Sequence, residues 1–440
     1  MLFSSLANYF VKLYEISCFA ITNIVQCLRD SQPMWSVLLV VLSILLCFSQ
    51  EIYCTSDMDQ KALSSAVAKF SAKFCNELEK NNNVVSSPLS AEFVLALLTL
   101  GTTDVAHTEL LTVLGIPNDE AIRESFSKVT SKLKSLKGIT LNVANKVYIM
   151  EGAYDLQSPI KSDAVRVFDA ELEKINFSKS DESAKIINTW VENKTNNKIK
   201  DLLSPDSLDG LTRLVLVNAL YFKGTWEKQF DSNMTKDQPF HVNAATSVNV
   251  PMMYQENQFY YGESEELQAQ LLAMPYVGDE ARMLIVLPKE IEGLSAVLKK
   301  LAGGYNILDE TERMFRTKVQ VTIPKFKIET EIDLKSLLPK LGIKQIFDEE
   351  NSGLTKILNS GEKIHVSKAI QKAFIEVNEE GAEAAAATAG VVRVRRSMPS
   401  PPEQFRVDRP ALWCLLVDQQ MIFVARFQPT PLPNTQRDEL

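Results

Sequence analysis

The sequence is poor in the residue patterns that carry enzyme chemistry. Its 440 residues include three histidines, His107, His241 and His365, which lie far apart and outside any His-x-x-x-His or Cys-x-x-Cys metal spacing. It also lacks a Gly-x-Ser-x-Gly elbow, a Walker loop and a Gly-x-Gly-x-x-Gly fingerprint. We therefore expect neither a metal nor a cofactor, and we expect that the protein is not an enzyme.

Cysteine is scarce in the part of the chain that is expected to fold. Only Cys75 and Cys414 lie there, and both have apolar neighbours, so we expect two buried free thiols rather than a disulfide framework. The other four cysteines lie in or beside an N-terminal apolar region: Cys18, Cys27, Cys47 and Cys54.

The charge balance argues against a nucleic-acid partner. The chain carries 55 acidic and 47 basic residues, for a net charge of −8. Its dense basic cluster, Arg393, Arg395 and Arg396, is too short to follow a phosphate backbone. A general nucleic-acid binder is therefore excluded.

The N-terminal region predicts entry into the secretory pathway. Residues 35–48 form an apolar run that is too short to span a bilayer comfortably and has the length of a signal-peptide core. We interpret residues 1–56 as a targeting region and expect no stable membrane span after signal cleavage. A signal anchor that stays in the membrane is the alternative.

The C-terminal region predicts the same compartment. The sequence ends Arg437-Asp438-Glu439-Leu440, which differs by one residue from the Lys-Asp-Glu-Leu address of the endoplasmic reticulum. We expect residues 431–440 to be a tail that binds a retrieval receptor and holds the protein in the lumen, with incomplete retrieval leaving part of it secreted. Three glycosylation sequons fit this compartment, at Asn176, Asn193 and Asn233.

The hydrophobic pattern predicts one large mixed domain over residues 57–430. Residues 139–149 alternate with period two, and residues 213–222 are nearly all apolar, which is typical of a central strand. Helices are predicted at 59–80, 89–99, 184–199 and 331–341, and further strands at 270–275, 281–287, 318–328, 370–378 and 420–427. Pro- or Gly-rich linkers are missing from this range.

Several motifs in this domain resemble those of the serpin family. In chain order they are Asn83-Val-Val-Ser-Ser-Pro-Leu-Ser90, Trp190-Val-Glu192, Ile199-Lys-Asp-Leu-Leu203, Leu216-Val-Asn-Ala-Leu-Tyr-Phe-Lys-Gly-Thr-Trp226, Ile323-Pro-Lys-Phe-Lys-Ile328, Leu341-Gly-Ile343, Glu376-Val-Asn-Glu-Glu-Gly381 and Phe423-Val-Ala-Arg-Phe427. The resemblance implies an α+β serpin fold with three β-sheets, about nine helices and an exposed reactive-centre loop at about 379–404. It also implies a monomer that inhibits a serine protease as a suicide substrate.

The loop sequence is compatible with the insertion step that the resemblance implies. In that step, cleavage would let the hinge enter the large sheet as a new strand before deacylation finishes. Small side chains on one face would enter without overpacking, and Glu383 lies on the opposite face. The hinge residues are Glu379, Gly381, Ala382, Ala384, Ala385, Ala386, Ala387 and Thr388. A surface helix is the alternative for this Ala-rich segment.

The arginines of the loop predict the specificity of the protease. Arg393-Val394-Arg395-Arg396 resembles the recognition site of furin-like proprotein convertases, and it places the cleaved bond between Arg396 and Ser397. The usual serpin spacing from Gly381 instead places the cut between Arg395 and Arg396. Both registers leave an arginine before the cut, so trypsin-like proteases are an alternative target.

The resemblance also assigns structural roles to polar residues of the sheet. Ser87, Ser90 and Asn218 would belong to a polar shutter beneath the sheet, and Lys325 would pair with Glu379 where the loop begins. Gln371 stands where inhibitory serpins often carry a histidine. Because an amide does not titrate near neutral pH, a shutter that responds to pH is not expected here.

Two further functions remain open from the sequence. The collagen-chaperone serpin also ends in Arg-Asp-Glu-Leu, so a non-inhibitory chaperone of the endoplasmic reticulum is one alternative. The other is that Arg393–Arg396 is a processing site of a proprotein. Collagen binding would indicate the first, and complete cleavage in cells without effect on the protease would indicate the second.

Overall fold

Nine α-helices and two hydrogen-bonded β-sheets make up the part of the chain that the computed structural model describes, which is residues 58, 60–78, 82–136, 139–152, 154–380 and 401–429. The helices are α1 (Gln60–Glu77), α2 (Pro88–Leu100), α3 (Asp104–Leu114), α4 (Asp119–Ser135), α5 (Ser158–Arg166), α6 (Ser180–Lys194), α7 (Leu294–Ala302), α8 (Ile307–Thr311) and α9 (Leu334–Leu341). Three short 3-10 turns lie at Pro205–Ser207, Ser232–Met234 and Gln345–Phe347.

The strands are β1 (Val84–Ser86), β2 (Ile139–Met150), β3 (Glu171–Ile175), β4 (Leu214–Gly224), β5 (Lys236–Asn243), β6 (Thr246–Ser264), β7 (Ala269–Pro275), β8 (Ala281–Pro288), β9 (Phe315–Pro324), β10 (Phe326–Asp333), β11 (Val366–Val377), β12 (Glu403–Arg406), β13 (Ala411–Val417) and β14 (Gln420–Phe427). The predicted strand at 318–328 is divided in two at Pro324 and Lys325. Proline has no N–H to continue a ladder, so the chain changes sheets there.

Helix α2 lies at the centre of the core, and every one of its residues is buried. Its start follows the sequence: Ser87 caps it by accepting a hydrogen bond from the Ser90 N–H at 3.1 Å, and Pro88 occupies the first turn. The helix predicted at 184–199 is observed at Ser180–Lys194. It ends earlier than predicted because the chain turns at Asn196 and Asn197, which both have positive φ.

The five-stranded sheet has the order β10-β11-β4-β2-β3. Strand β4, predicted to be central, lies in the middle and is buried along almost its whole length. It pairs antiparallel with β2 and parallel with β11. The β4–β11 pair is important for the site, because β11 runs directly into the predicted hinge.

The second sheet has nine strands, in the order β1-β14-β13-β8-β7-β6-β9-β12, with β5 paired to β6. The 19-residue strand β6 pairs with β5 over its first part, with β9 from Met252 to Tyr261 and with β7 at its end. The described residues therefore form two hydrogen-bonded sheets, where three were expected. The predicted α+β fold with about nine helices is confirmed.

The described helices include none that is long and apolar enough to cross a membrane. Within the same residues, no group of three or more His, Cys, Asp or Glu side chains is arranged to hold a metal ion.

Candidate functional site

The predicted reactive segment lies outside the described residues. This applies to the arginines at 393, 395 and 396, to Ser397, and to the hinge residues from Gly381 to Thr388. The targeting region, the tail Arg437–Leu440 and residue Glu383 also lie outside them. The two points where the chain leaves and rejoins the described structure, at Glu380 and Pro401, define where the loop is attached.

The chain leaves β11 through a segment that is held on several sides. The indole Nε1 of Trp226 donates to the Asn378 carbonyl at 2.9 Å, and the Phe230 N–H donates to the Glu379 carbonyl at 2.9 Å. The Trp226 ring stacks on Tyr276 with centroids 4.3 Å apart. The start of the loop is therefore fixed next to the end of β4 by the stacked rings of Trp226 and Tyr276.

The structure brings Lys325 and Glu379 together. The Lys325 Nζ lies 2.7 Å from one carboxylate oxygen of Glu379, and the Thr235 hydroxyl donates to the other at 2.8 Å. Burial alone would raise the pKa of the Glu379 carboxyl, but the hydrogen bonds from Lys325 and Thr235 outweigh burial and hold that pKa below its ordinary value. The side chain is 10% exposed and stays ionised.

The seam between β4 and β11 is closed by two amide side chains. Asn218 and Gln371 are direct partners in the parallel register, and the Gln371 Nε2 donates to Asn218 Oδ1 at 2.7 Å. The same amide donates to the Ser87 carbonyl at 2.8 Å. A strand inserted between β4 and β11 would have to separate this pair, so Gln371 and Asn218 lie on that line of insertion.

Gln371 satisfies all its hydrogen-bonding groups in this position. Its oxygen accepts from the Ser86 hydroxyl at 2.6 Å and from the Ser87 N–H at 3.0 Å. Gln371 is completely buried, so these bonds offset the cost of removing the amide from water. The shutter predicted from the sequence included Ser87 and left out Ser86, although both hydroxyls stand before Pro88.

Asn218 extends the network to a third strand. Its Nδ2 donates to the Ser90 carbonyl at 3.0 Å and to Oδ1 of Asn145 on β2. The Ser90 hydroxyl also contacts Asn145, at 3.3 Å. Asn145 was not predicted, and the signal that identifies it is a polar residue on the inward face of an alternating strand.

Helix α6 covers the β4–β11 pair on the face opposite to Asn218 and Gln371. Ile187 and Val191 of the helix share a core cluster with Val217 of β4 and Ile370 of β11. Trp190 packs beside this cluster. Any strand that enters between β4 and β11 therefore enters beneath this helix.

The three sequons differ in accessibility. The side chains of Asn193 and Asn233 are exposed, whereas Asn176 is half-buried and its Oδ1 accepts from the Ser178 N–H at 3.1 Å. The hydroxyl of Thr235, which completes the Asn233 sequon, is the one that binds Glu379. The structure thus places two predicted glycosylation sites in water, and their occupancy stays a prediction.

Two free buried cysteines occur among the described residues, as the sequence predicted. Burial raises the pKa of the Cys75 thiol to about 12, although the charge of Arg426 acts in the opposite direction. Burial also raises the pKa of Cys414. Both thiols are therefore unreactive at neutral pH.

The chain rejoins the structure next to the second sheet. Strand β12 pairs parallel with β9, and Phe405 is completely buried. The loop is therefore held at both ends, by the bond from Trp226 to Asn378 before it and by the pairing of β12 with β9 after it.

Comparison with known proteins agrees with this arrangement. The family model described as "Serpin (serine protease inhibitor)" matches residues 65–428. The chain is 42% identical to antichymotrypsin-2 of Bombyx mori, with 82% of this chain and 96% of that protein aligned, and 40% identical to alaserpin of Manduca sexta, with 82% and 92% aligned. The crystal structure of Serpin48 from Tenebrio molitor superposes with a TM-score of 0.75 at 35% identity, covering 85% of this chain and all of that one.

Proposed function

The chain belongs to the serpin family and is a serine protease inhibitor, and we propose that its target is a furin-like proprotein convertase of the secretory pathway. The observation that carries the target is the sequence Arg393-Val394-Arg395-Arg396 within the loop. Each guanidinium can form fork-like hydrogen bonds with a carboxylate, so this spacing suits a protease with several acidic subsites.

Family membership corrects one expectation from the sequence. We expected only that the protein is not an enzyme, because the sequence lacks the motifs that carry catalysis. A serpin acts as a suicide substrate, so the chain takes part in the reaction of a protease, as the inhibitor and not as a catalytic enzyme.

The reaction of the loop starts as ordinary proteolysis. The hydroxyl oxygen of the protease serine bonds to the carbonyl carbon of the arginine before the cut, and the peptide C–N bond breaks. The leaving nitrogen takes a proton and becomes the new amino terminus, at Ser397 or at Arg396. The arginine is left as an ester on the protease, and water would normally break that ester.

Insertion then competes with this hydrolysis. The described geometry supports insertion, because β11 leads directly into the hinge and is joined to its parallel neighbour β4 by the backbone ladder and the Gln371–Asn218 bond, all noncovalent. The new strand would run antiparallel to both neighbours. The small residues at 382, 384, 386 and 388 would face one side of the sheet, where larger groups would overpack the core.

Residence in the endoplasmic reticulum is a further part of the proposal. The tail Arg437–Leu440 would bind the retrieval receptor, and the inhibitor would then meet convertases during their passage through the early secretory pathway. Deleting these four residues should move a tagged protein from cells into the medium. Equal secretion of the full and shortened chains would contradict retrieval.

The central experiment mixes the purified protein with a furin-like convertase and reads the product on a denaturing gel. We expect an SDS-stable complex, and sequencing of the released peptide should begin at Ser397 for the convertase register or at Arg396 for the usual serpin register. Cleavage without such a complex would contradict inhibition. A complex with trypsin and none with the convertase would restrict the target to trypsin-like proteases.

A pair of loop variants tests the insertion step. Ala386→Arg places a charged side chain on the inward face and should convert the inhibitor into a substrate, with cleavage but little complex. Glu383→Gln, on the opposite face, should inhibit as the unchanged protein does. Equal behaviour of the two variants would show that side-chain size on this face does not matter.

A chaperone function is the second candidate, because the sequence ends Arg-Asp-Glu-Leu as the collagen-chaperone serpin does. Binding of triple-helical collagen in a pull-down, together with failure to form a protease complex, would favour it. The clean run of small residues at 384–387 favours inhibition instead.

A further inference from the structure

A serine hydroxyl closes the seam between β4 and β11 at the end where both strands begin. The register of this parallel pair shifts between Val366 and Lys368, so Ser367 lies opposite no residue of β4. Its hydroxyl oxygen instead accepts a hydrogen bond from the backbone N–H of Arg213, the residue before β4, at 2.9 Å. Ser367 therefore joins the two strands by a side-chain bond at the point where the regular ladder is interrupted.

A histidine contacts the same hydroxyl. The Nε2 of His365 lies 3.1 Å from Ser367 Oγ, and His365 is half-buried. While Nε2 is unprotonated, the Ser367 hydroxyl can donate its hydrogen to the ring and accept the Arg213 N–H at the same time, because a hydroxyl has one donor and two lone pairs. Protonation of Nε2 makes the ring a second donor to Ser367 Oγ, and the hydroxyl hydrogen then loses this acceptor. A neutral ring is therefore the form that fits the closed seam.

The surroundings of His365 reinforce this preference for the neutral form. Burial is the largest influence on the ring and lowers the pKa of His365. The charged groups that act on it come from three neighbouring segments: Lys335 of helix α9, Arg213 before β4, and Asp348 and Glu349 after the 3-10 turn. The two cations lower the pKa further and the two carboxylates raise it, and the net result is a lowered pKa. The closed protein therefore binds a proton at His365 less readily than an exposed imidazole does.

An inserted loop would reach this end of the seam. It would start beside Val377, where β11 leads into the loop, and would run antiparallel to β11. Neighbouring strands pair residue for residue, so about ten inserted residues bring the new strand level with Ser367, before Arg393 is reached. Complete insertion of the segment upstream of the arginines would therefore have to break the bond between Ser367 and Arg213.

We propose that His365 is a positioning residue that makes this end of the seam open more readily in mildly acidic solution. Protonation takes the acceptor away from the Ser367 hydroxyl and adds a positive charge beside Lys335 and Arg213. The closed form then loses stability as the pH drops below the ordinary histidine range, because the opened form binds more protons there. This inference rests on the insertion step of the proposed function and is independent of which protease is the target.

The size of the effect follows from the protonation of the two forms. In the opened seam the ring should titrate near the ordinary histidine pKa of 6.5, whereas in the closed seam it stays neutral. At pH 6.0 about three-quarters of the opened molecules then carry the proton, and at pH 7.5 about a tenth do. Insertion should therefore be about fourfold faster at pH 6.0 than at pH 7.5. His365→Gln should insert at the same rate at both pH values, because an amide does not titrate there.

The test adds a synthetic peptide that copies residues 381–394 to the uncleaved full chain at pH 6.0 and at pH 7.5. The gain in resistance to urea, read after return to pH 7.5, gives the insertion rate. His241→Gln and His107→Gln are matched controls, because they remove the other two imidazoles of the chain away from the seam. His241 lies on β5, and His107 of α3 pairs with Asp119 at 2.7 Å. Both controls should keep the fourfold difference in rate.

A second measurement does not depend on insertion. A titration followed by NMR of the histidine C2 protons gives the pKa of each imidazole in the closed protein, and the His365 signal is the one that His365→Gln lacks. It should titrate below 6.5, and a value of 6.5 or above would overturn the proposal. Should His365→Gln fail to fold, His365→Asn replaces it.

The outcomes separate this proposal from the one before it. Faster insertion at pH 6.0 that is lost only in the His365 variant supports the positioning role. Equal rates at both pH values in the unchanged protein, or an acceleration that persists in His365→Gln, would overturn it while leaving insertion intact. If the unchanged protein takes up no peptide at either pH, insertion itself fails and this inference fails with it.

Discussion

Gln371 and Asn218 are hydrogen-bonded side chain to side chain at 2.7 Å, at matching positions of two parallel strands. The loop is attached to one of these strands, and in the proposed mechanism its inserted form would pass between them. This buried amide pair therefore links β4 and β11, the two strands that would separate if the loop inserted between them.

Replacing Gln371 with leucine should destabilise the native protein by about 2–4 kcal/mol, because buried groups of Asn218, Ser86 and Ser87 lose their partner. Urea unfolding at pH 7 measures the change. Gln404→Leu is the control, since this exposed amide on β12 should cost less than about 0.5 kcal/mol. A loss equal to that of the control would mean that the network adds nothing.

Replacing Gln371 with histidine should introduce a dependence on pH that the natural side chain does not have. The imidazole would be neutral when buried and charged in the unfolded chain below its ordinary pKa of roughly 6.5. The unfolded state would then bind more protons, so stability would fall as the pH drops below that value. The free energy of unfolding, measured at pH 8, 7 and 6, should show this added slope for the Gln371→His variant. The unchanged protein and the exposed control Gln404→His should not show it.

The pair of Lys325 and Glu379 should make the protein sensitive to acid. Because the folded pKa of Glu379 is lowered, its contribution to stability is present above its ordinary pKa and is lost as the pH falls through the lowered value. Glu379→Gln should remove this part of the acid sensitivity. At pH 7, Lys325→Met should cost about 1 kcal/mol, since Lys325 is partly exposed. A double-mutant cycle gives the coupling, and strictly additive losses would contradict it.

Glu92 should have the opposite dependence on pH. It is 2% exposed within helix α2, and burial raises its pKa well above the ordinary value. Above the ordinary pKa the folded state then binds more protons than the unfolded one, so its contribution to stability falls by up to about 1.4 kcal/mol per pH unit until the raised pKa is reached. Glu92→Gln should therefore be more stable than the unchanged protein at pH 7, with the gap narrowing toward pH 4.5. A gap that is constant with pH would contradict this.

Much of the fold could be predicted from local patterns. The near-continuous apolar run at 213–222 identified the central strand β4, because a strand buried on both faces needs no polar alternation. Ser87 and Pro88 identified the start of α2, because capping depends on residues next to each other in the chain. The small side chains before the arginines and the family motifs likewise indicated a protease inhibitor, which the family match confirmed at that level.

The polar network around Gln371 and the packing of helix α6 on the sheet were decided by the tertiary structure alone. Gln371 and Ser86 are 285 positions apart, and no periodicity in the sequence relates them. Helix α6 likewise places Trp190 over the buried Lys146 of β2, with the Lys146 Nζ 4.9 Å from the centre of the ring. The sequence by itself determined which segments form strands and which basic residues lie between β11 and β12. Only the packing of distant strands determined which strands lie side by side and which side chains link them, because hydrogen bonds and ion pairs between remote residues depend on register and burial that local patterns do not contain.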